Sequence, residues 1–546
     1  MVTRTLGGHE VRTFADLPES VYHLLAASAE RTPDAVAVVE DAGRRTSFSA
    51  LLEHVDALAA YLAGLGVAAG ERVGLLMHAD LEFVVALFAI SKLGAACVPV
   101  PTKYRQPEVV SLMGAADLSA AVVGEEFGSW EASLPVPEGR LVWSRSARGG
   151  YGFAGLGGTP VEPAGSAEDV AIMMFTSGTT SAAKGVQLTN YNVCHAALIY
   201  QHLMATTPAD RCLIPIPIYH VTGLIALLVQ FVAVGATTYL HHVFDARRVL
   251  ATVRDEKITY LHASPTAFAE LLPLRTDFPE LPSVRVMLSG SSYEPISAMR
   301  ALHAWMPTAR FQVVYGMTET ASPALLFPGD TPTSVFAGAT GKPVPGVDAK
   351  IVDEDGHEVA PGQTGELFLR GACVTPGYFG RTDVGPDAEG WLATGDVAYA
   401  NDEGMVWVVD RKKDMINRGG EKVWCSEVEE VLSGLDGVAA ACVAGIPDEL
   451  YGEVPVAAVV AERGASGAAA TPLIEDGIKA ELASRLAHFK IPVHVIVVDA
   501  IPETVGGKPD RARVRELVLA SLEGASSAPK PATTPGPIPE TPDQEG

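Results

Sequence analysis

Residues 175–185 read FTSGTTSAAKG, a loop of hydroxyls, glycines and one lysine that follows directly on the apolar run 170–175. Such a run predicts a buried strand. A chain that leaves its end on Gly178 and small residues can turn successive backbone N–H groups inward as an anion nest. Thr176, Ser177, Thr179 and Thr180 add hydroxyl donors, and Lys184 adds a compact positive charge, so the ligand this set fits is a polyphosphate. The spacing excludes the commoner nucleotide loop, GxxxxGK followed by Ser or Thr, because Ala183 and Gly185 flank the lysine here.

Six further segments place polar or glycine residues where chemistry could use them: PIYHVTG at 217–223, LSGSSY at 288–293, YGMTET at 315–320, GWLATGD at 390–396, DRKKD at 410–414 with NRGGEK at 417–422, and PETVGGK at 502–508. The YGMTET segment follows a short apolar stretch, 311–314, so it too sits at the end of an expected strand. Taken in this order, and covering roughly residues 20–520, the motifs resemble those of the acyl-adenylate-forming superfamily of acyl-CoA synthetases, aryl-acid ligases, peptide-synthetase adenylation domains and beetle luciferases. Ser181 stands where that pattern usually has glycine, and Ala183 where it has proline. In the 288–293 segment, Ser291, Ser292 and Tyr293 replace a more usual run of small apolar residues and proline.

The resemblance implies a role for each matching position. Tyr315 stacks on adenine beside Gly316, Thr318 touches the α-phosphate, and Glu319 holds Mg²⁺ with Thr179 nearby; a hard cation already bound to phosphates needs only one or two protein carboxylates. Gly290, Ser291 and Ser292 line the adenine and acyl pockets. Asp396 accepts both ribose hydroxyls, as an acceptor-only carboxylate can, and Arg411 makes a second ribose contact. Lys413 is the interdomain hinge, Gly420 borders the path of the pantetheine arm, and Lys508 is the adenylating lysine. His220 stands at the mouth of the acyl pocket, completing a catalytic set of Lys508, Glu319, Thr318 and His220.

The implied activity is ATP- and Mg²⁺-dependent activation of a carboxylic acid to acyl-AMP, followed by transfer to the thiol of coenzyme A. Amino-acid-activating relatives carry an aspartate near 217–223, and this segment has none, which directs the reading to a non-amino acid. An alternative is an enzyme that hands its acyl-AMP to an acyl carrier protein or a partner enzyme. A regulator that has lost catalysis fits poorly with the retained Glu319, Asp396, Arg411 and Lys508. A luciferase-like oxygenase shares the same scaffold.

Composition bounds these expectations. A chain of 546 residues exceeds the roughly 250–300 residues that one core supports. The net charge of −25 argues against nucleic acid, whose phosphates attract Lys and Arg, so a nucleotide site must build its positive field locally. Cys97, Cys194, Cys212, Cys373, Cys425 and Cys442 lack metal-ligand spacing and read as reduced thiols of a cytoplasmic protein. The longest apolar stretch, 224–240, contains Gln230 and Gly235 and is too short to span a bilayer; it predicts a buried helix entering a strand.

The elements that must carry the motifs follow from periodicity. Residues 46–66 have helical spacing behind an N-cap at Ser47, 72–77 and 95–100 are strands around the helix 81–93, and 119–123, 236–240, 258–262 and 284–288 continue the alternation. Alternating strand and helix predict an α/β fold of parallel βαβ units. After residue 342, short strands at 349–352, 365–370 and 406–409 predict a small mixed β subdomain. A helix at 426–435 and strands near 438–443, 455–460 and 493–498 predict a small, mobile α+β C-terminal domain. The expected organisation is an N-terminal AMP-binding domain, 1–410, a C-terminal domain, 411–523, and a disordered proline-rich tail, 524–546.

Overall fold

A computed structural model describes residues 1–144, 151–176, 184–462, 474–504 and 508–526. The chain forms two compact units, Met1–Met415 with Glu503–Pro509, and Ile416–Pro502 with Asp510–Gly546.

In the large unit the strand–helix alternation builds two sheets with parallel centres. The first has seven strands, in which Arg72–Leu76 lies between Ala96–Pro99 and Ala120–Gly124, with Val170–Thr176 and Leu141–Ser144 next outward, all parallel. The second has nine, and its parallel run is Thr237–Leu240, Arg211–Ile214, Tyr260–Ala263, Val286–Ser289 and Arg310–Tyr315. Four motif segments, at 175–185, 217–223, 288–293 and 315–320, lie at or just past the carboxyl ends of these strands, where ligands bind in open α/β sheets.

Local sequence explains the helices. Phe48–Gly64 starts where the Ser47 hydroxyl accepts the Ala50 N–H. Leu81–Lys92 is apolar on all sides and every one of its residues is buried, as such a pattern requires. Its two charges are matched: Lys92 Nζ lies 2.6 Å from Asp56 Oδ1, and Glu82 accepts the Gly152 N–H at 2.7 Å. The stretch read as a buried helix entering a strand is π-wound over Thr222–Val229, α-helical over Gln230–Val234, and stops at Gly235 with φ 84° before Thr237–Leu240.

The β subdomain is a four-stranded sheet of Val347–Val352, Gly365–Gly371, Leu392–Ala400 and Val406–Arg411. It is antiparallel at every pairing rather than mixed; no helix lies between its strands along the chain, and a parallel pair usually needs such a crossover. The smaller unit is a five-stranded sheet carrying Cys425–Ser433 and Glu475–Ala483 on one core and Arg511–Ser526 on another. Inside it Glu429 pairs with Arg511, and Lys490 Nζ lies 2.6 Å from Glu427 Oε1. The helix Arg511–Ser526 is the last described element, so nearly all of the proline-rich tail lies outside the described residues.

All six cysteines are buried thiols. Burial pushes Cys97, Cys194, Cys212 and Cys373 above the ordinary thiol range, which leaves them unreactive. Among the described residues no helix is long and apolar enough to cross a membrane.

Candidate active site

The strands Val170–Thr176 and Lys184–Thr189 pair antiparallel, with Thr176 opposite Lys184. This pairing closes the base of the expected phosphate loop; Ser177, Gly178, Thr179 and Thr180 themselves lie outside the described residues. The outer edge of the hairpin is extended by Gly377–Tyr378, with Val186 opposite Tyr378. The Phe379 N–H donates to Gly185 O at 2.7 Å, and Thr375 Oγ1 donates to Gln187 O at 2.5 Å. The same short segment reaches the YGMTET turn, where the Thr375 N–H donates to Glu319 O at 2.7 Å and Tyr378 Oη donates to Glu319 Oε1 at 3.0 Å. Lys184 Nζ stands 5.4 Å from the centre of the Tyr378 ring. Residues 375–379 therefore clip two motif segments together, with Lys184 over the ring of Tyr378 and Glu319 on its hydroxyl.

The turn bearing Glu319 is shaped by backbone constraint. Tyr315 ends its strand, and Gly316 follows where a Cβ would fall 1.3 Å from Ser322 O, so no side chain fits there. Thr318–Thr320 makes a single 3₁₀ turn, and Ala321 and Ser322 take left-handed φ values of 52° and 103°. Residues other than glycine hold such values where surroundings enforce them; here Tyr200 Oη and Ser322 Oγ are hydrogen-bonded at 3.0 Å.

Asp396 lies opposite Arg411 in adjacent strands. Its carboxylate accepts the Tyr315 hydroxyl at 2.5 Å through Oδ2, and Arg411 Nε is 3.3 Å from Oδ1. Burial raises the Asp396 pKa, while Arg411, the Tyr315 hydroxyl and Lys508 act against that rise. Lys508 belongs to the segment Glu503–Pro509 of the large unit. Burial first, and then repulsion from Arg411, hold its ammonium below the ordinary lysine range, opposed by attraction to Asp396 and Glu319. Glu319, Asp396, Arg411 and Lys508 thus share one electrostatic neighbourhood, with Lys184 joined to it through Tyr378.

Gly290 follows the strand Val286–Ser289, and a Cβ there would lie 2.9 Å from Val314 O and 3.7 Å from His262 Nε2. Ser291, next in line, is exposed with φ 77°, and Ser292 is half-buried. Burial alone brings His262 down to about 3, so a neutral imidazole backs this loop. His220 packs edge-on to Tyr219 at 4.8 Å and accepts the Leu224 N–H at 2.8 Å on its carbonyl, opening the π-wound turn. Gly223 permits that turn, since a Cβ would sit 2.9 Å from Pro217 O. Lys413 precedes the end of the large unit at Met415. Gly420 lies in the smaller unit with φ 95°, in the tight link between Ile416–Arg418 and Glu421–Val423.

Sequence reading did not single out Thr375, Tyr378 or Tyr200. Thr375-Pro-Gly-Tyr reads as an ordinary turn, and nothing local announces that it pairs with residues near 186. Tyr200 sits on a helix whose apolar spacing reads as core.

The donor set fits the groups that the motifs imply. Lys184, Arg411 and Lys508 supply local positive charge in an acidic chain. Glu319, 8% exposed with one oxygen on Tyr378, retains acceptor capacity for a hard cation. A large two-sheet unit with cations and carboxylates at its strand ends, together with a small α+β unit, defines the adenylating class of enzyme. The chain belongs to the AMP-binding enzyme family: the family model "AMP-binding enzyme" matches residues 25–379, and "AMP-binding enzyme C-terminal domain" matches residues 427–508. It is 32% identical over 493 residues to a feruloyl-CoA synthase of Amycolatopsis sp, covering 89% of this chain and 96% of that one. Among solved structures it resembles the anthranilate CoA ligase AuaEII in complex with anthranoyl-AMP, with a TM-score of 0.83, 26% identity, and coverage of 93% of this chain and 98% of that one. It also resembles the o-succinylbenzoate CoA synthetase of Bacillus subtilis in complex with ATP and magnesium ion, with a TM-score of 0.78, 28% identity, and coverage of 90% and 99%.

Proposed function

We propose that this protein is an AMP-forming acid–CoA ligase acting on a non-amino carboxylic acid. A carboxylate is a poor acyl electrophile because its leaving group would be oxide. Attack of a carboxylate oxygen on the α-phosphorus of ATP forms an acyl–O–P bond and expels pyrophosphate. The CoA thiol then attacks the acyl carbonyl, its proton is lost to solvent, and AMP leaves. Neither step needs a protein nucleophile; the protein supplies positioning and charge stabilisation.

The observation that carries this reading is the gathering of Glu319, Asp396, Arg411 and Lys508 in one neighbourhood, with Lys184 linked through Tyr378. In it, Thr176, Lys184 and the loop residues Ser177 to Thr180 hold the phosphates, and Thr318 meets the α-phosphate. Asp396 and Arg411 hold the ribose, and Tyr315 and Gly316 face the base. Lys508 bridges the substrate carboxylate and the α-phosphate. Mg²⁺, held by Glu319 with Thr179, neutralises phosphate charge when bound. Gly290, Ser291 and Ser292 wall the acid site, and His220 stands at its mouth. The absence of an acidic residue in 217–223 supports a non-amino acid. For the thiol step the Lys508 loop must withdraw, with rotation at Lys413 and CoA passing Gly420. Buried unreactive cysteines favour a cytoplasmic setting.

A panel of aliphatic and aryl acids, assayed for pyrophosphate release with and without CoA and followed by product mass, tests the proposal. An acyl-CoA product is expected. Release of pyrophosphate with no acyl-CoA would remove the CoA half, and no acid-dependent release would remove the whole reading.

A further inference from the structure

Beyond the motif residues, we propose that Glu294 is a positioning residue: it locks loop 290–293, the wall of the proposed acid and nucleotide site, through its hydrogen bond to Ser289. This inference rests on that assignment of the loop. Ser289 ends the strand Val286–Ser289 and is 1% exposed, while Glu294 begins the descent into helix Ile296–Trp305 and is 3% exposed. Ser289 Oγ donates to Glu294 Oε2 at 2.5 Å. The bond joins the two feet of the loop, so the residues between them form a closed ring.

That ring holds strain. Ser291 has φ 77° and is exposed, a conformation that L side chains keep only when their surroundings impose it. On the strand side, the chain at Gly290 runs so close to Val314 O that a Cβ would fall 2.9 Å from it, which leaves little room to relax. The bond from Ser289 to Glu294 then opposes relaxation on the other.

The chemistry of the lock follows from burial. A buried carboxylate without a cationic partner is costly to ionise. Burial raises Glu294 to about 8, and among the described residues the Ser289 hydroxyl alone acts against that rise. The ionisable groups on the flanking elements do not enter: His262 on Tyr260–Ala263, Arg310 and Tyr315 on the next strand, and Arg300 and His303 on Ile296–Trp305. As pH rises from the ordinary carboxyl range toward 8, the buried group resists a charge that inside the protein only the Ser289 hydroxyl offsets, so opening the loop to water becomes progressively easier. The folded form is thereby penalised as pH rises, the direction linkage requires for a carboxyl whose pKa is raised on folding.

Two variants separate the lock from mere packing. Glu294→Gln keeps a hydrogen-bonding carbonyl but cannot ionise, and Glu294→Ala removes the bond. Hydrogen–deuterium exchange of the 288–296 peptide, corrected for intrinsic rates, reads the loop without any substrate. Wild type is expected to lose protection progressively as pH rises toward 8, Glu294→Gln to show no such loss, and Glu294→Ala to be unprotected throughout. In acid-dependent pyrophosphate exchange, Glu294→Ala should lower kcat/KM about tenfold, the effect of one such hydrogen bond. Glu294→Gln should recover most of it and lack the wild-type fall as pH rises toward 8. Superimposable exchange profiles for wild type and Glu294→Gln would overturn the lock. Divergent profiles in a protein that activates no acid would keep the lock and sink the reaction instead.

Discussion

Replacing Tyr378 with phenylalanine deletes one oxygen and leaves the ring under Lys184. That oxygen donates to Glu319 Oε1 at 3.0 Å. A hydrogen bond to a charged partner contributes about 1.5–3 kcal/mol, and because Tyr378 is only half-buried the lower figure applies. About 1.5 kcal/mol is roughly a tenfold change in an equilibrium or a rate. If the bond orients the Glu319 carboxylate for a cation, the Mg²⁺ concentration giving half-maximal activity should rise about tenfold. The kcat/KM for ATP at low Mg²⁺ should fall by the same factor, and saturating Mg²⁺ should restore most of it. Melting should shift little, because the aromatic packing and the backbone bonds at residues 375–379 remain. The assay is acid-dependent exchange of pyrophosphate into ATP over a Mg²⁺ series, with a thermal melt of each sample. A loss of activity that is the same at every Mg²⁺ concentration would refute the argument, since the tyrosine would then act through the hairpin alone.

Two further substitutions address the remaining steps. Lys508→Ala should slow adenylation by about two to three orders of magnitude, the effect of one preorganised donor, while thioester formation from supplied acyl-AMP is spared; unchanged pyrophosphate exchange would exclude the role. Because burial and Arg411 hold Lys508 below the ordinary lysine range, its cation is lost at a lower pH than that of a free lysine. The alkaline limb of adenylation should therefore come early, and Lys508→Arg, charged at any accessible pH, should push that limb outward in whatever activity it retains. Lys413→Pro should leave adenylation intact and impair acyl-CoA formation, as single-turnover measurements of each half-reaction would show; equal loss in both would argue against a hinge at that residue.

Much of the site was legible because its parts are local. The expected phosphate loop follows a strand, and Tyr315, Gly290 and Thr176 are all placed by apolar runs that the sequence displays openly. The Ser47 cap and the wholly buried Leu81–Lys92 follow from composition in the same way. What the sequence concealed depends on distant pairing. Gly377–Tyr378 is a two-residue strand whose partner, Val186, lies far back in the chain, and two residues carry no periodicity. Glu294 looks like a solvated charge before a helix until burial and the Ser289 bond are seen. The antiparallel order of residues 347–411 was hidden because short strands separated by turn signals do not specify direction. The π-winding of Thr222–Val229 was hidden too, because apolar residues show burial but not helical pitch.

The two-residue strand Gly377–Tyr378 also sets how the molecule can be divided. It is the outermost strand of the seven-stranded sheet, and so short an edge offers a second chain almost nothing to pair with. A fragment ending near residue 370 would uncover Lys184–Thr189 as a bare ladder of backbone donors and acceptors, a template for pairing between molecules. Expression of the nucleotide-binding portion alone should therefore extend past Phe379 if self-association is to be avoided.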